Sequence, residues 1–472
     1  DGLFDEIVLS SQSNARKDRG DLWTLLKARE GQRAYWLHIG DNEVSDMQRA
    51  GDLGLAVFHT MNPVTLLLQK GVFSASTVQA VEEEKSWADA LLLGPAAARL
   101  GGDPFPAGGA LGPAQITTAH DLGYCVYGPA LFAFCAWLVA QPSLRALDRV
   151  YFLSREGWAL QPIYDALRAG LGEGALPPSR YLHISRRAVM LASQTRQFNP
   201  ETVIDGPEFK GNLAGLLMAR LGFEIPADAG LDGAASIQLP GDAAVVRDAL
   251  EQLKDQIQAQ AATEARALAA YLAQQGLDAK SSVGVVDIGY RATIQKGLQT
   301  ALGRGLAGFY QATFPEAAET AMPQADGSTG SAVGYFGDGI DPLGEAPIVR
   351  HAILIEAFLT APQGQVDHFD VNAAGTAEPV FQPGRRTAEE IAVLAQLHAG
   401  ALAYANDLIS WYGPSLLDLT FDPAAALAPL QAFARGRITA PKAVLGTLRV
   451  DDAFCGYEEH EVGLDLADLA SA

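Results

Sequence analysis

The stretch VGVVDIGYRATIQKGL, residues 283–298, runs a compact apolar segment straight into Asp287, Gly289, Arg291 and Thr293 and then into a helical pattern. The same design recurs in DRVYFLSREGWALQPIYDAL (148–167) and in SRYLHISRRAVM (179–190). A short apolar run without in–out alternation marks a strand buried on both faces. A strand that leads at once into a helix continues as a parallel neighbour, because the helix forms the crossover. Three such units restrict the chain to the α/β class with a parallel sheet. They also align their loops along one edge, since ligands of such sheets sit beyond the carboxyl ends of the strands.

The loops hold residues suited to a polyanion. The first supplies Ser154, Arg155, Glu156 and Gly157, the second Ser185, Arg186 and Arg187, the third Asp287, Gly289, Tyr290, Arg291 and Thr293. Arginine forks match phosphate oxygens, glycine lets backbone N–H groups come close, and a helix start favours negative charge. Asp287 and Glu156 are placed to hold magnesium or sugar hydroxyls. In any one loop, an arginine is most simply the partner of a surface carboxylate; three loops in register favour an anion site.

Elsewhere the chain is acidic: 34 Lys and Arg against 55 Asp and Glu give a net charge of −21. That balance excludes bulk electrostatic binding of nucleic acid and opposes an anionic membrane surface. With 49% apolar and 19% charged residues, 472 positions provide for two or three folded domains. Cys125, Cys135 and Cys455 lack metal or disulfide spacing and the eight histidines form no zinc signature, which points to a reduced, cytoplasmic setting. The most apolar run, GPALFAFCAWLVA at 128–140, has 13 residues, where a bilayer span needs about 20. It reads as a buried helix, and the opening residues do not read as a signal peptide.

Residues 1–72 alternate strands (EIVLSS, AYWLHIG, LAVFHT) with helices (RGDLWTLLKARE, EVSDMQRAGDLG), again a parallel pattern. In HIGDNEVSD, Asp41 follows a strand and Asp46 lies five residues on, a spacing at which two carboxylates can converge on Mg²⁺. The simpler reading of Asp46 is an acid favoured at a helix N-terminus. Lys17, in NARKDRG, is suited to neutralising a phosphate. The segment resembles the haloacid dehalogenase superfamily of phosphatases, with Lys17 at its third motif and Asp41 and Asp46 at its GDxxxxD motif. The family's aspartate nucleophile and its first two strands have no counterpart here, so the segment is expected to be inactive as a phosphatase. Its abrupt opening suggests an upstream half.

Residues 73–120 read as a connector: a helix over STVQAVEEEKSWADALLLG with a solvated EEEK face, then the Gly/Pro-rich linker 100–115. The larger unit is expected over 121–472 with a helical insertion at about 206–278. There, one long amphipathic helix runs from the Asp242 cap to Gly276, with a purely packing stripe. Pro162 is expected near a first helical turn. RHAILIEAFLTAPQGQV puts Arg350, His351 and Glu356 on one apolar helix. Glu356 is read there as a structural partner or as a general base. The tail from 375 reads as largely helical.

The three loops together resemble a type I phosphoribosyltransferase: SREG its pyrophosphate loop, SRR a basic strand end, and VVDIGYRATI its loop for 5-phosphoribosyl 1-diphosphate (PRPP), with Ile288 where a second acid is usual. The pairing with a haloacid dehalogenase-like segment is similar to the bacterial polysaccharide enzymes that install ribofuranose. The resemblance implies transfer of ribose 5-phosphate from PRPP to a glycan acceptor such as a lipid-linked one, with Mg²⁺, release of pyrophosphate and later dephosphorylation. It implies Asp287 and Glu356 as catalytic carboxylates and the three loops as the PRPP site. It also implies cytoplasmic work, at the inner membrane face through partners, alongside upstream phosphatase or glycosyltransferase modules. Two other classes stay open: a sugar-phosphate phosphatase with an accessory domain, and a non-catalytic scaffold of a glycan assembly complex.

Overall fold

The apolar runs form one wholly parallel sheet of β1 (Arg149–Leu153), β2 (Ser179–Leu182), β3 (Val283–Asp287), β4 (Ala307–Tyr310) and β5 (Ser331–Gly334), in the order β2-β1-β3-β4-β5. Successive side chains of a strand point to opposite faces, and here both faces are covered. Val150, Phe152, Val286 and Phe309 join a hydrophobic cluster with α1 (Gly128–Ala140) and α2 (Gly157–Leu171). Tyr151, Leu153, Val283 and Val285 join another with α3 (Arg186–Ser193), α4 (Lys254–Gln274) and α5 (Thr293–Leu302). Two further helices, α6 (Ala352–Leu359) and α7 (Ala388–Tyr412), thicken the first layer. The strand order reverses between β1 and β3, so the crossovers diverge there and leave a crevice at the carboxyl edge.

The computed structural model describes residues 4–31, 35–82, 86–103, 112–172, 174–195, 198–206, 208–277, 281–382 and 386–446. Cys455, half of the linker (104–111) and most of the EEEK run lie outside the described residues. One helical stretch, Ala119–Ala140, is long and apolar enough to cross a bilayer, and 94% of its most apolar window is buried inside the protein. Its neighbour α7 comes close because three positions are glycine. A β-carbon on Gly123 would overlap the Leu397 carbonyl, one on Gly400 the His120 carbonyl, and one on Gly128 the Tyr404 ring.

Several elements differ from the sequence reading. EIVLSS is not a strand; Ser10–Ser13 is a helical turn and Glu6 pairs with Arg29, and no described strand lies beside it to bond with. The front unit has two parallel strands, Leu37–Gly40 and Ala56–His59, over a small core of Trp23, Ala50 and Leu55. Leu37 and Ile39 are exposed. Leu67, Val72 and Phe73, at the end of the 1–72 segment, belong to the main core. The connector helix is two, Ala75–Glu82 and Trp87–Gly101. The 241–276 helix breaks at Leu253 (φ −91°, ψ 2°), which is buried between Ala243–Gln252 and α4. Its first part packs with an antiparallel strand pair, Phe209–Asn212 with Ser236–Leu239, around a separate core. Arg350 closes a four-residue helix and His351 caps α6, so Arg350, His351 and Glu356 do not share one helix. The tail begins with a hairpin strand, Ala377–Phe381, before its helices.

The glycine contacts give a stability test. Gly400→Ala forces backbone apart and is expected to cost about 1–3 kcal/mol. Gly94, helical with open space around it, gains about 0.5–1 kcal/mol on Gly94→Ala from reduced backbone entropy. Thermal denaturation of both variants checks this; equal shifts would contradict the close approach of α7.

Candidate functional site

Asp287 ends β3, where its strand is flanked by β1 and β4 in register, Phe152 beside Val286 and Tyr310 beside Asp287. The carboxylate accepts a hydrogen bond from the Ile288 N–H at 2.8 Å. Burial pushes its pKa up to about 7, the negative charge of Glu156 adds to the rise, and Arg186 with the Ile288 and Gly289 N–H groups oppose it. Gly289 lies where acid and guanidinium meet the backbone. A β-carbon there would stand 3.3 Å from Asp287 Oδ2 and 3.9 Å from an Arg186 nitrogen.

Tyr290 extends the same neighbourhood. Its ring stacks on Phe314 at 4.7 Å, and burial raises its hydroxyl pKa, with Glu356, Glu156 and Asp287 adding to the rise and Arg186 opposing it. Loops after β1, β2 and β3 and helix α6 therefore bring Glu156, Arg186, Asp287, Tyr290 and Glu356 together. Arg155 joins through Tyr181, whose hydroxyl donates to the Arg155 carbonyl at 3.3 Å and accepts from Gln363 at 2.9 Å. Helices α2 and α5 both start at this edge and direct a favourable dipole at it; in α2 the Trp158 and Ala159 N–H groups donate to the Arg155 and Glu156 carbonyls, while no side chain caps the first-turn amides of α5.

Other sequence candidates hold the scaffold. Ser154 is buried and bridges two loops, donating to the Ile184 carbonyl at 2.6 Å and accepting from its N–H at 2.9 Å. Ser185 caps α3, accepting from the Ala188 N–H at 3.1 Å. Gly157 is glycine because a β-carbon would stand 2.8 Å from the Phe152 carbonyl carbon. Arg187 is turned away from the edge: it is 2% exposed, paired with Glu264, and donates to the Asp367 carbonyl at 2.7 Å. One helical step, about 100°, separates it from Arg186, and removing a partner from such a buried pair costs about 3–5 kcal/mol. Arg291 lies 3.4 Å from Glu316, and Thr293, half-buried, opens α5.

In the front unit, Lys17 and Asp46 converge at 2.7 Å. Asp46 is buried, which raises its pKa, but Lys17, His38 and the Asn42 N–H outweigh that and hold it at about 2. Its oxygens are taken by Lys17, by His38 at 3.0 Å and by the Asn42 N–H at 3.1 Å. Asp41 is exposed, and its carbonyl faces His59 at 2.9 Å. Among the described residues no group of three or more His, Cys, Asp or Glu side chains is placed to hold a metal.

Sequence reasoning passed over Tyr181, Gln363 and Trp158, whose ring meets Tyr181 edge-on at 5.4 Å; an alternating edge-strand tyrosine gives no local signal. No family model matches the chain, and no curated protein matches it in sequence.

The Asp287 environment gives a pH test. The folded chain keeps this proton up to about pH 7, whereas an unfolded aspartate loses it near about 4. Stability from this group is therefore greatest in acid and is lost as pH rises through that window. Asp287→Asn removes the penalty, so its melting temperature relative to the unsubstituted protein should increase by about 2 °C or more between pH 5 and 8. A difference independent of pH would contradict the buried, like-charged setting.

Proposed function

We propose that this protein is a phosphoribosyltransferase that moves ribose 5-phosphate from PRPP to a hydroxyl of a bacterial glycan and releases pyrophosphate. The observation that carries the reading is the meeting of Arg186 with Glu156 and Asp287 at the switch point of a parallel sheet, beside helix N-termini. Arg186, Arg155 and the amides after β1 and β3 bind and orient the diphosphate. As the C1–O bond to pyrophosphate breaks, its electron pair leaves with the diphosphate, whose growing charge these preorganised groups stabilise. The acceptor oxygen forms the new bond to C1, and its proton passes to a carboxylate. Asp287, with a pKa near about 7, is matched to proton transfer at neutral pH; Glu356, beside Tyr290, is the other candidate.

Glu156 and Asp287 fit a divalent cation, because two carboxylates close enough to raise one pKa gain from a positive charge. Magnesium bound there would neutralise charge on the diphosphate oxygens. The Lys17–Asp46 contact fits a phosphatase-like front unit without the family's nucleophile, so later removal of the 5-phosphate is assigned to a separate phosphatase module.

The test is incubation with PRPP, Mg²⁺ and a panel of lipid-linked or synthetic glycans, reading pyrophosphate and product mass. Arg186→Ala should lower pyrophosphate release by about 10²-fold or more. Asp287→Asn should lower pyrophosphate release by a similar factor. Undiminished turnover in both variants would remove this site assignment.

A further inference from the structure

We infer that the groove between α2 and α7 holds the acceptor glycan, and that Trp158 is the platform for one of its sugar rings. This rests on the transferase reading, and it assigns a place for the substrate that the cluster at the sheet edge leaves unlocated.

The groove encloses about 410 Å³ and is lined by Trp158, Gln161, Pro162, Asp165, His398 and Leu402, among others. That volume falls within the size range of small-molecule sites, which combine an apolar surface with a few placed polar groups. Trp158 is 42% exposed, although tryptophan usually buries its large ring. An open indole beside carboxylate and carboxamide groups suits a sugar, whose C–H face packs on the ring while its hydroxyls bond to the polar atoms.

Those polar groups are held in place. Ser179 donates to Asp165 at 2.6 Å and accepts from Gln161 at 2.9 Å, so both side chains are fixed from the β2 side. His398 is anchored by the Phe358 carbonyl of α6 at 2.9 Å. Pro162 lies inside α2 rather than in its first turn. It has no N–H to donate to the Trp158 carbonyl four residues back.

Continuity with the reacting end supplies the direction. Trp158 lies two residues beyond Glu156, and its ring contacts Tyr181, which binds the Arg155 carbonyl. Glu356 stands on α6 two residues before the Phe358 carbonyl that holds His398. A chain of sugars resting in the groove would therefore point its terminal hydroxyl at the carboxylates.

Saturation-transfer NMR tests this, with a panel of methyl glycosides and disaccharides of glucose, galactose, mannose, rhamnose and N-acetylglucosamine. Calorimetry with PRPP and Mg²⁺ runs in parallel. At least one glycoside should give a signal that falls about fivefold or more in Trp158→Ala and also weakens in Asp165→Asn, while PRPP affinity stays within about twofold. Glycoside binding that both variants leave intact, or no binding by any member of the panel, overturns the groove assignment. Groove-dependent glycoside binding without PRPP binding would support the groove and reject the transferase.

Discussion

A negative charge at the end of a buried strand is the constraint around which this structure is arranged. Asp287 terminates β3 beside Glu156, and burial with like charge raises its pKa to about 7. Such a site costs stability unless a cation, a proton or a ligand's polar groups relieve it. Arg186, across Gly289, and the local N–H groups relieve it in part. An arrangement that keeps an unfavourable charge at a crevice is more typical of a binding centre than of a packing device.

Much of the surrounding sequence maintains that geometry. Ser154 ties the β1 loop to the β2 loop, Gly157 lets α2 start against Phe152, and Ser185 caps α3. Arg187 binds α3 to α4 through Glu264 and to the strand carrying Asp367. These contacts fix where Glu156, Arg186 and Asp287 stand, which is what a preorganised site requires. On the opposite layer, α7 packs against the Ala119–Ala140 stretch through close glycine contacts and forms one wall of the groove that opens beside Trp158.

The parallel sheet was legible because β1 and β3 are apolar on both faces, and the candidate site because strand ends in such sheets share one edge. Glu156, Arg186, Gly289 and Asp287 were reached that way. Adjacent arginines were not separable: Arg186 and Arg187 look alike in sequence, and only the helical turn between them sends one to the crevice and the other to Glu264. The serine hydroxyls looked like ligand donors but serve main-chain groups, a choice made by tertiary contacts. The break at Leu253 was hidden because Val246, Leu250, Ile257 and Ala261 keep helical spacing across it while the chain bends around a separate core. The importance of Tyr181 depends on Gln363, 182 positions away, beyond any local pattern.

A crystal structure of the protein grown with PRPP and Mg²⁺ is the most direct measurement. The expected result is a diphosphate within hydrogen-bonding reach of Arg186 and the amides after β1 and β3, with the pentose facing Asp287. A diphosphate bound elsewhere, or a crevice that excludes it at saturating PRPP, would contradict the central claim.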